Sequence, residues 1–110
     1  MNAKYNSRKG RKLQNLLREK ILKTFRHLRK SDVRVAGTGV NGPDLRLSRI
    51  AKRLCPFQFE CKAQNRLKTV WKWKKQSEKN TNLDGVLIMR MNGKNPLVVI
   101  DMDLFFDLIK

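Results

Sequence analysis

Apolar residues recur at helical spacing near the start of the chain: Leu13, Leu16, Leu17, Ile21, Phe25 and Leu28. Steps of three and four put them on one stripe, which predicts a helix from Ser7 to about Leu28 with Ser7 as its N-cap. The opposite face carries Arg11, Lys12, Arg18, Lys20 and Lys23. The period then changes to two. Residues 32–36 predict a short strand, and residues 43–48 a second one, with Leu45 and Leu47 on one face and Asp44 and Arg46 on the other. Between them, residues 37–42 hold three glycines and Thr38, a loop whose backbone can approach another surface closely. Ser48 is placed to cap a helical turn over residues 49–54, and Pro56 ends it.

Residues 56–62, Pro-Phe-Gln-Phe-Glu-Cys-Lys, alternate again. Phe57, Phe59 and Cys61 face one side of a predicted strand, and Gln58, Glu60 and Lys62 the other. Residues 64–79 predict a second long helix with Leu67, Val70, Trp71 and the aliphatic stem of Lys74 as its inner stripe. Two apolar strands follow, 85–90 and 96–100, joined by a hairpin turn over Asn92-Gly93-Lys94-Asn95. Asp101 opens a last helix carrying Leu104, Phe105 and Leu108. A helix linking the 56–62 strand to the 85–90 strand is a crossover, which predicts parallel strands. The expected fold is therefore α/β: a central mixed β-sheet of about five strands flanked by helices, in one domain spanning residues 1–110, with residues 1–6 a basic arm.

Composition narrows the function. The 110 residues carry 26 Lys and Arg against 9 Asp and Glu, a net charge of +17. Such self-repulsion calls for a polyanionic partner, and nucleic acid is the leading candidate ahead of an anionic membrane surface. No apolar run approaches the ~20 residues of a membrane span. The first eight residues lack a signal peptide's apolar segment, so the expected location is the cytoplasm rather than outside the cell. In that reducing compartment, Cys55 and Cys61 are expected as buried thiols, not as a disulfide or a zinc site.

Chemistry concentrates in two short motifs, Pro43-Asp44 and Glu60-Cys61-Lys62. Alternation puts Glu60 and Lys62 side by side. Two converging carboxylates can hold a divalent ion, and a neighbouring lysine can steady a water. With the basic helix start Arg8-Lys9-Gly10-Arg11-Lys12, the glycine-rich loop and the Trp-bearing helix with Gln76, these motifs resemble the PD-(D/E)xK nuclease superfamily. In particular they resemble the Holliday junction resolvase-like endonucleases of phages and prophages, over roughly residues 7 to 108. The resemblance implies a restriction-endonuclease-like core and a metal-dependent DNA endonuclease. It implies Mg2+ or Mn2+ bound by Asp44, Glu60 and the Cys61 backbone carbonyl, with Lys62 positioning the attacking water. It also implies accessory roles for Gln14, which stands where relatives often carry a glutamate, and for Gln76. Archaeal Holliday junction resolvases are more distant relatives in this resemblance, which sets Thr38 in the place of their loop hydroxyl. DNA contacts fall to Arg8, Lys9, Arg11, Lys12, Arg34, Thr38 and Arg46, and paired incisions on branched DNA imply a homodimer.

Bland readings stand beside these. Asp44 can be a turn residue, Glu60 and Lys62 an exposed ion pair, and the basic helix a solvated face. Trp71 fits the core stripe better than a base-stacking role, whereas Trp73 suits a rim or dimer contact. His27 reads as a surface residue, and one of Phe105 and Phe106 as part of a dimer interface. The alternative functions are a non-catalytic nucleic-acid-binding protein and a nuclease for linear or single-stranded DNA. All of them share one expected outcome: affinity for DNA falls steeply as salt rises, because phosphate contacts release counterions. A titration series that is flat from low to moderate salt contradicts it.

Overall fold

The computed structural model describes residues 3–36 and 43–110, with side chains from residue 8 onward. The chain divides into two compact units, residues 1–63 with the last two residues, and residues 64–108.

The first unit is built on α1, Ala3–Thr24. Its buried face is Leu17 and Ile21, and the stripe runs on past the helix end through Phe25 and Leu28. Thr24 closes the last turn by donating its hydroxyl to the Lys20 carbonyl at 2.7 Å. The helix begins four residues earlier than Ser7, so Ser7 lies inside it and is not its cap. A 3-10 turn, Lys30–Asp32, leads into β1, Val33–Val35, which pairs antiparallel with β2, Leu45–Leu47. The register sets Val33 against Leu47, Arg34 against Arg46 and Val35 against Leu45. Val33 and Leu45 are buried, as are Ala51 and Cys55 of the following helix α2, Arg49–Leu54, and its end. Ser48 caps α2 as its position predicts, its hydroxyl accepting the Ala51 amide at 3.2 Å, a cap of about 1 kcal/mol.

Two polar ties hold these pieces in place. Arg18 reaches from α1 to the Val33 carbonyl at 2.5 Å and the Lys30 carbonyl at 2.8 Å. Asp32 accepts the Arg29 amide at 2.7 Å on one carboxylate oxygen and the Ser48 hydroxyl at 2.7 Å on the other. Its backbone carbonyl also accepts the Ser48 amide at 2.8 Å.

The second unit holds α3, Lys68–Ser77, the antiparallel hairpin of β3, Leu87–Met89, and β4, Leu97–Val99, and α4, Met102–Ile109. The hairpin turns through Met91–Lys94, closed by the Lys94 amide on the Met91 carbonyl at 3.0 Å. Gly93 sits at φ 78°, a conformation glycine adopts without steric cost. Gly85 is packed so closely that an added Cβ would fall on the Ser77 hydroxyl. Phe106 is the buried aromatic of α4, edge-on to Phe105 with ring centroids 5.1 Å apart. Lys74 is buried as well, its ammonium paired with Glu78 at 2.5 Å and Asp101 at 3.6 Å.

The central five-stranded sheet expected from the sequence is not formed: the described residues make two separate two-stranded antiparallel sheets and four α-helices. The segment 56–62 accounts for the difference. It alternates as a strand does: Phe59 and Cys61 are half-buried, while Gln58, Glu60 and Lys62 are exposed. Yet two of its amides bond outside any ladder, the Phe57 amide to the Cys55 carbonyl and the Cys61 amide to the Asp44 carboxylate. Pro56 contributes no donor. A period of two records extended backbone, not a ladder partner. Without that strand there is no parallel crossover, and α3 joins an irregular segment to a hairpin.

Asp32 makes stability depend on acid. The Arg29 amide and then the Ser48 hydroxyl hold its carboxyl below its ordinary value. A depressed carboxylate contributes stability that is full above the unfolded-state value of about 3.9 and is lost as pH falls through the lower folded value. The expected outcome for Asp32→Asn is a melting temperature several degrees below wild type at pH 7, with the gap closing in acid. Thermal melts at stepped pH, followed by circular dichroism, check this, and a gap that is constant with pH contradicts it.

Candidate functional site

The carboxylate of Asp44 accepts the backbone amide of Cys61 at 2.5 Å. Asp44 stands one residue before β2, and its own carbonyl accepts the Ala36 amide at 3.0 Å, so the β1–β2 ladder fixes its backbone. The side chain then reaches across to residues 60–62. The two motifs, seventeen positions apart, are thus joined by a direct hydrogen bond. On either side of Cys61, Glu60 and Lys62 form an ion pair at 3.2 Å, with side chains 63% and 72% exposed. At that exposure the pair contributes little to stability. Glu60 is thus an exposed carboxylate beside Lys62 and not a buried one.

Cys61 reports the local field. Its thiol is pushed up first by burial, then by the charges of Asp44 and Glu60. Both carboxylates therefore act on one point, the Cys61 side chain. Cys55, buried beneath α2, is raised by burial alone, and both cysteines are free. Among the described residues, no three His, Cys, Asp or Glu side chains gather as a metal site. The donors at hand are two carboxylates.

Other assigned residues fall in different places. Gln14 is half-buried on α1; a groove of about 540 Å3 along that helix is lined instead by Lys9, Lys12 and Glu19, with Ala63 on its far wall. Gln76 is exposed on α3 in the second unit. Thr38 lies outside the described residues. Arg8, Arg11 and Lys12 are exposed and Lys9 is half-buried. Because α1 starts at Ala3, these four lie beyond its first turn, where no free helix amides remain. Their attraction for anions rests on the side chains, not on the helix start.

Arg34 and Arg46 are directly opposed across β1 and β2, and both are exposed. Like charges in that position oppose each other and destabilise the pair. Neither has an ion-pair partner among the described residues. Arg46 also lines a cleft of about 360 Å3 beside Pro43, with Lys52, Phe57 and Gln58. Lys52 and Phe57 were not assigned from the sequence. Phe57 shares its predicted face with Phe59 and Cys61, yet it is 43% exposed where they are half-buried. Trp71, expected on the inner stripe of α3, is 57% exposed and not part of a buried stripe. Phe106 is core rather than interface. His27 is exposed just past α1, as read.

Comparison with protein-family models, curated proteins and solved structures finds no match to this chain. No helix among the described residues is long and apolar enough to cross a membrane.

The Asp44–Cys61 contact has a chemical readout. Replacing Asp44 by Asn removes a charge that raises the Cys61 thiol, so the thiolate fraction increases. The expected outcome is faster alkylation of Cys61 by iodoacetamide at neutral pH, with its pH profile moved to lower pH. Cys55 should be unaffected. Peptide mass spectrometry separates the two cysteines, and an unchanged Cys61 rate contradicts the proximity.

Proposed function

We propose that the chain is a metal-dependent DNA endonuclease that hydrolyses phosphodiester bonds, selective for four-way junctions or other branched DNA and acting in the cytoplasm. The observation that carries this reading is the Asp44 hydrogen bond to Cys61, which sets one carboxylate against the segment bearing Glu60 and Lys62. The resemblance to PD-(D/E)xK nucleases rests on these residues and not on the sheet.

The donor chemistry suits Mg2+ or Mn2+. Asp44 and Glu60, with the Cys61 carbonyl that the resemblance adds, are all hard oxygen donors. Mg2+ is commonly held by one or two carboxylates, with waters and substrate phosphate completing its shell. Such an ion supplies polarisation of the phosphate and a more acidic water. The protein's own part is to hold Asp44 in place through the Cys61 amide and to present the Lys62 ammonium beside Glu60. Lys62 steadies the attacking water or offsets charge at phosphorus. Arg34 and Arg46, whose mutual repulsion a phosphate relieves, receive the backbone next to Asp44. Two incisions call for a symmetric homodimer. Ile88 and Val98, opposed across β3 and β4 and 59% and 63% exposed, offer apolar surface for it.

A second reading, a nucleic-acid-binding protein without catalysis, is favoured by the two-carboxylate donor set and by Gln14 in place of an acid. A labelled four-way junction incubated with Mg2+ separates the two. The nuclease reading expects cleavage by wild type and a loss of at least about 100-fold in Asp44→Ala and Lys62→Ala. Binding should change little, since each alters one charge among many. If wild type and Asp44→Ala are both inert while both bind, the binding reading replaces it. Equal cutting of junction, flap, duplex and single strand removes the selectivity.

A further inference from the structure

α3 carries four lysines and no acid in ten residues, with Trp71 and Trp73 set among them. Lys68 and Lys75 stand three before and four after Trp71, on the same helical face. Trp71 is 57% exposed on the wall of a cavity of about 210 Å3. The other walls are apolar: Leu67, Val70, Val99 and Ile100. Its polar groups are the buried Lys74 ammonium and the Asp101 carboxylate, 3.6 Å apart, with Asp101 55% exposed. Glu78 holds Lys74 from the same helix at 2.5 Å.

These features sort by chemistry. An aromatic face, apolar walls and an acceptor at the rim are what a planar heteroaromatic ring with N–H groups needs. The cavity is smaller than the roughly 300 Å3 at which drug-sized pockets begin, so it takes one ring system and not a base pair. The lysines flanking Trp71 suit the phosphates on either side of such a ring. An apolar peptide side chain would fill the walls but leave the lysines flanking Trp71 without a role. We propose that this cavity binds a single unpaired nucleobase, stacked on Trp71 and hydrogen-bonded to Asp101, of a strand whose phosphates lie along Lys68 and Lys75. This rests on the nucleic-acid part of the proposed function but not on cleavage, and the pocket lies in the second unit, outside the Asp44 site.

The test uses the full chain with a chelator present, so that no strand is cut. The probes are a short oligothymidylate, an abasic oligomer with the same number of phosphates, and a duplex. In a Trp73→Phe background Trp71 is the only indole, and its fluorescence is expected to be quenched by the oligothymidylate and not by the abasic oligomer. Trp71→Ala is expected to weaken the oligothymidylate on the order of tenfold, within the range for one stacked base, and to leave the abasic oligomer and duplex unchanged. Val99→Phe, which fills the cavity while keeping Trp71, is expected to give the same selective loss. Circular dichroism confirms that both variants fold. Equal losses on the abasic oligomer, or no loss on oligothymidylate, overturn the base pocket while leaving the nuclease reading to its own assay. If none of the three probes binds at low salt, the nucleic-acid reading falls and the pocket falls with it.

Discussion

Asp32 joins three pieces of chain that otherwise have little reason to meet. Its carboxylate closes the 3-10 turn on Arg29 and grips the hydroxyl of Ser48, and its carbonyl takes the Ser48 amide. That places the end of β2 beside the start of β1 and sets the residue that caps α2. The pairing of β1 with β2 is only three residues long, so its register depends on such ties. Register in turn decides that Arg34 faces Arg46 and that Asp44 emerges just ahead of the ladder. Arg18 supplies the matching tie from α1. In a chain with so few acids, one carboxylate organises the first unit.

Four of the remaining acids act at two places. Glu78 and Asp101 neutralise Lys74, and Asp44 and Glu60 gather around Cys61. Surface cations such as Arg34, Arg46 and Lys52 have no ion-pair partner among the described residues. Around Cys61 this placement forms a small acidic focus, with Lys62 paired to one of its two carboxylates.

What could be read from the sequence was what depends on neighbours in the chain. The α1 stripe, the Ser48 cap, the Gly93 turn and the burial of Lys74 along its stem all follow from local spacing and side-chain chemistry. The sheet did not, because alternation over residues 56–62 says nothing about where an amide finds its acceptor. That acceptor is a side chain seventeen residues away. Trp71 failed for a related reason: a helical stripe gives direction, but only tertiary packing decides how much of a large ring is covered. The association of Asp44 with residues 60–62 was legible only through the motif resemblance. The cleft that Lys52 and Phe57 line with Arg46 had no signal, since a lone lysine and a lone phenylalanine recur throughout the chain.

The bare face of the β3–β4 hairpin has a consequence for the protein in bulk. Val86, Ile88 and Val98 leave that face about half exposed, and within the described sheet each strand is paired on one side only. Such surfaces invite edge-to-edge stacking. A charge of +17 keeps copies apart by repulsion, and added salt screens it. Ionic strength therefore decides how closely chains approach one another. A solution at high salt is the one in which this protein is least protected from its own hairpin.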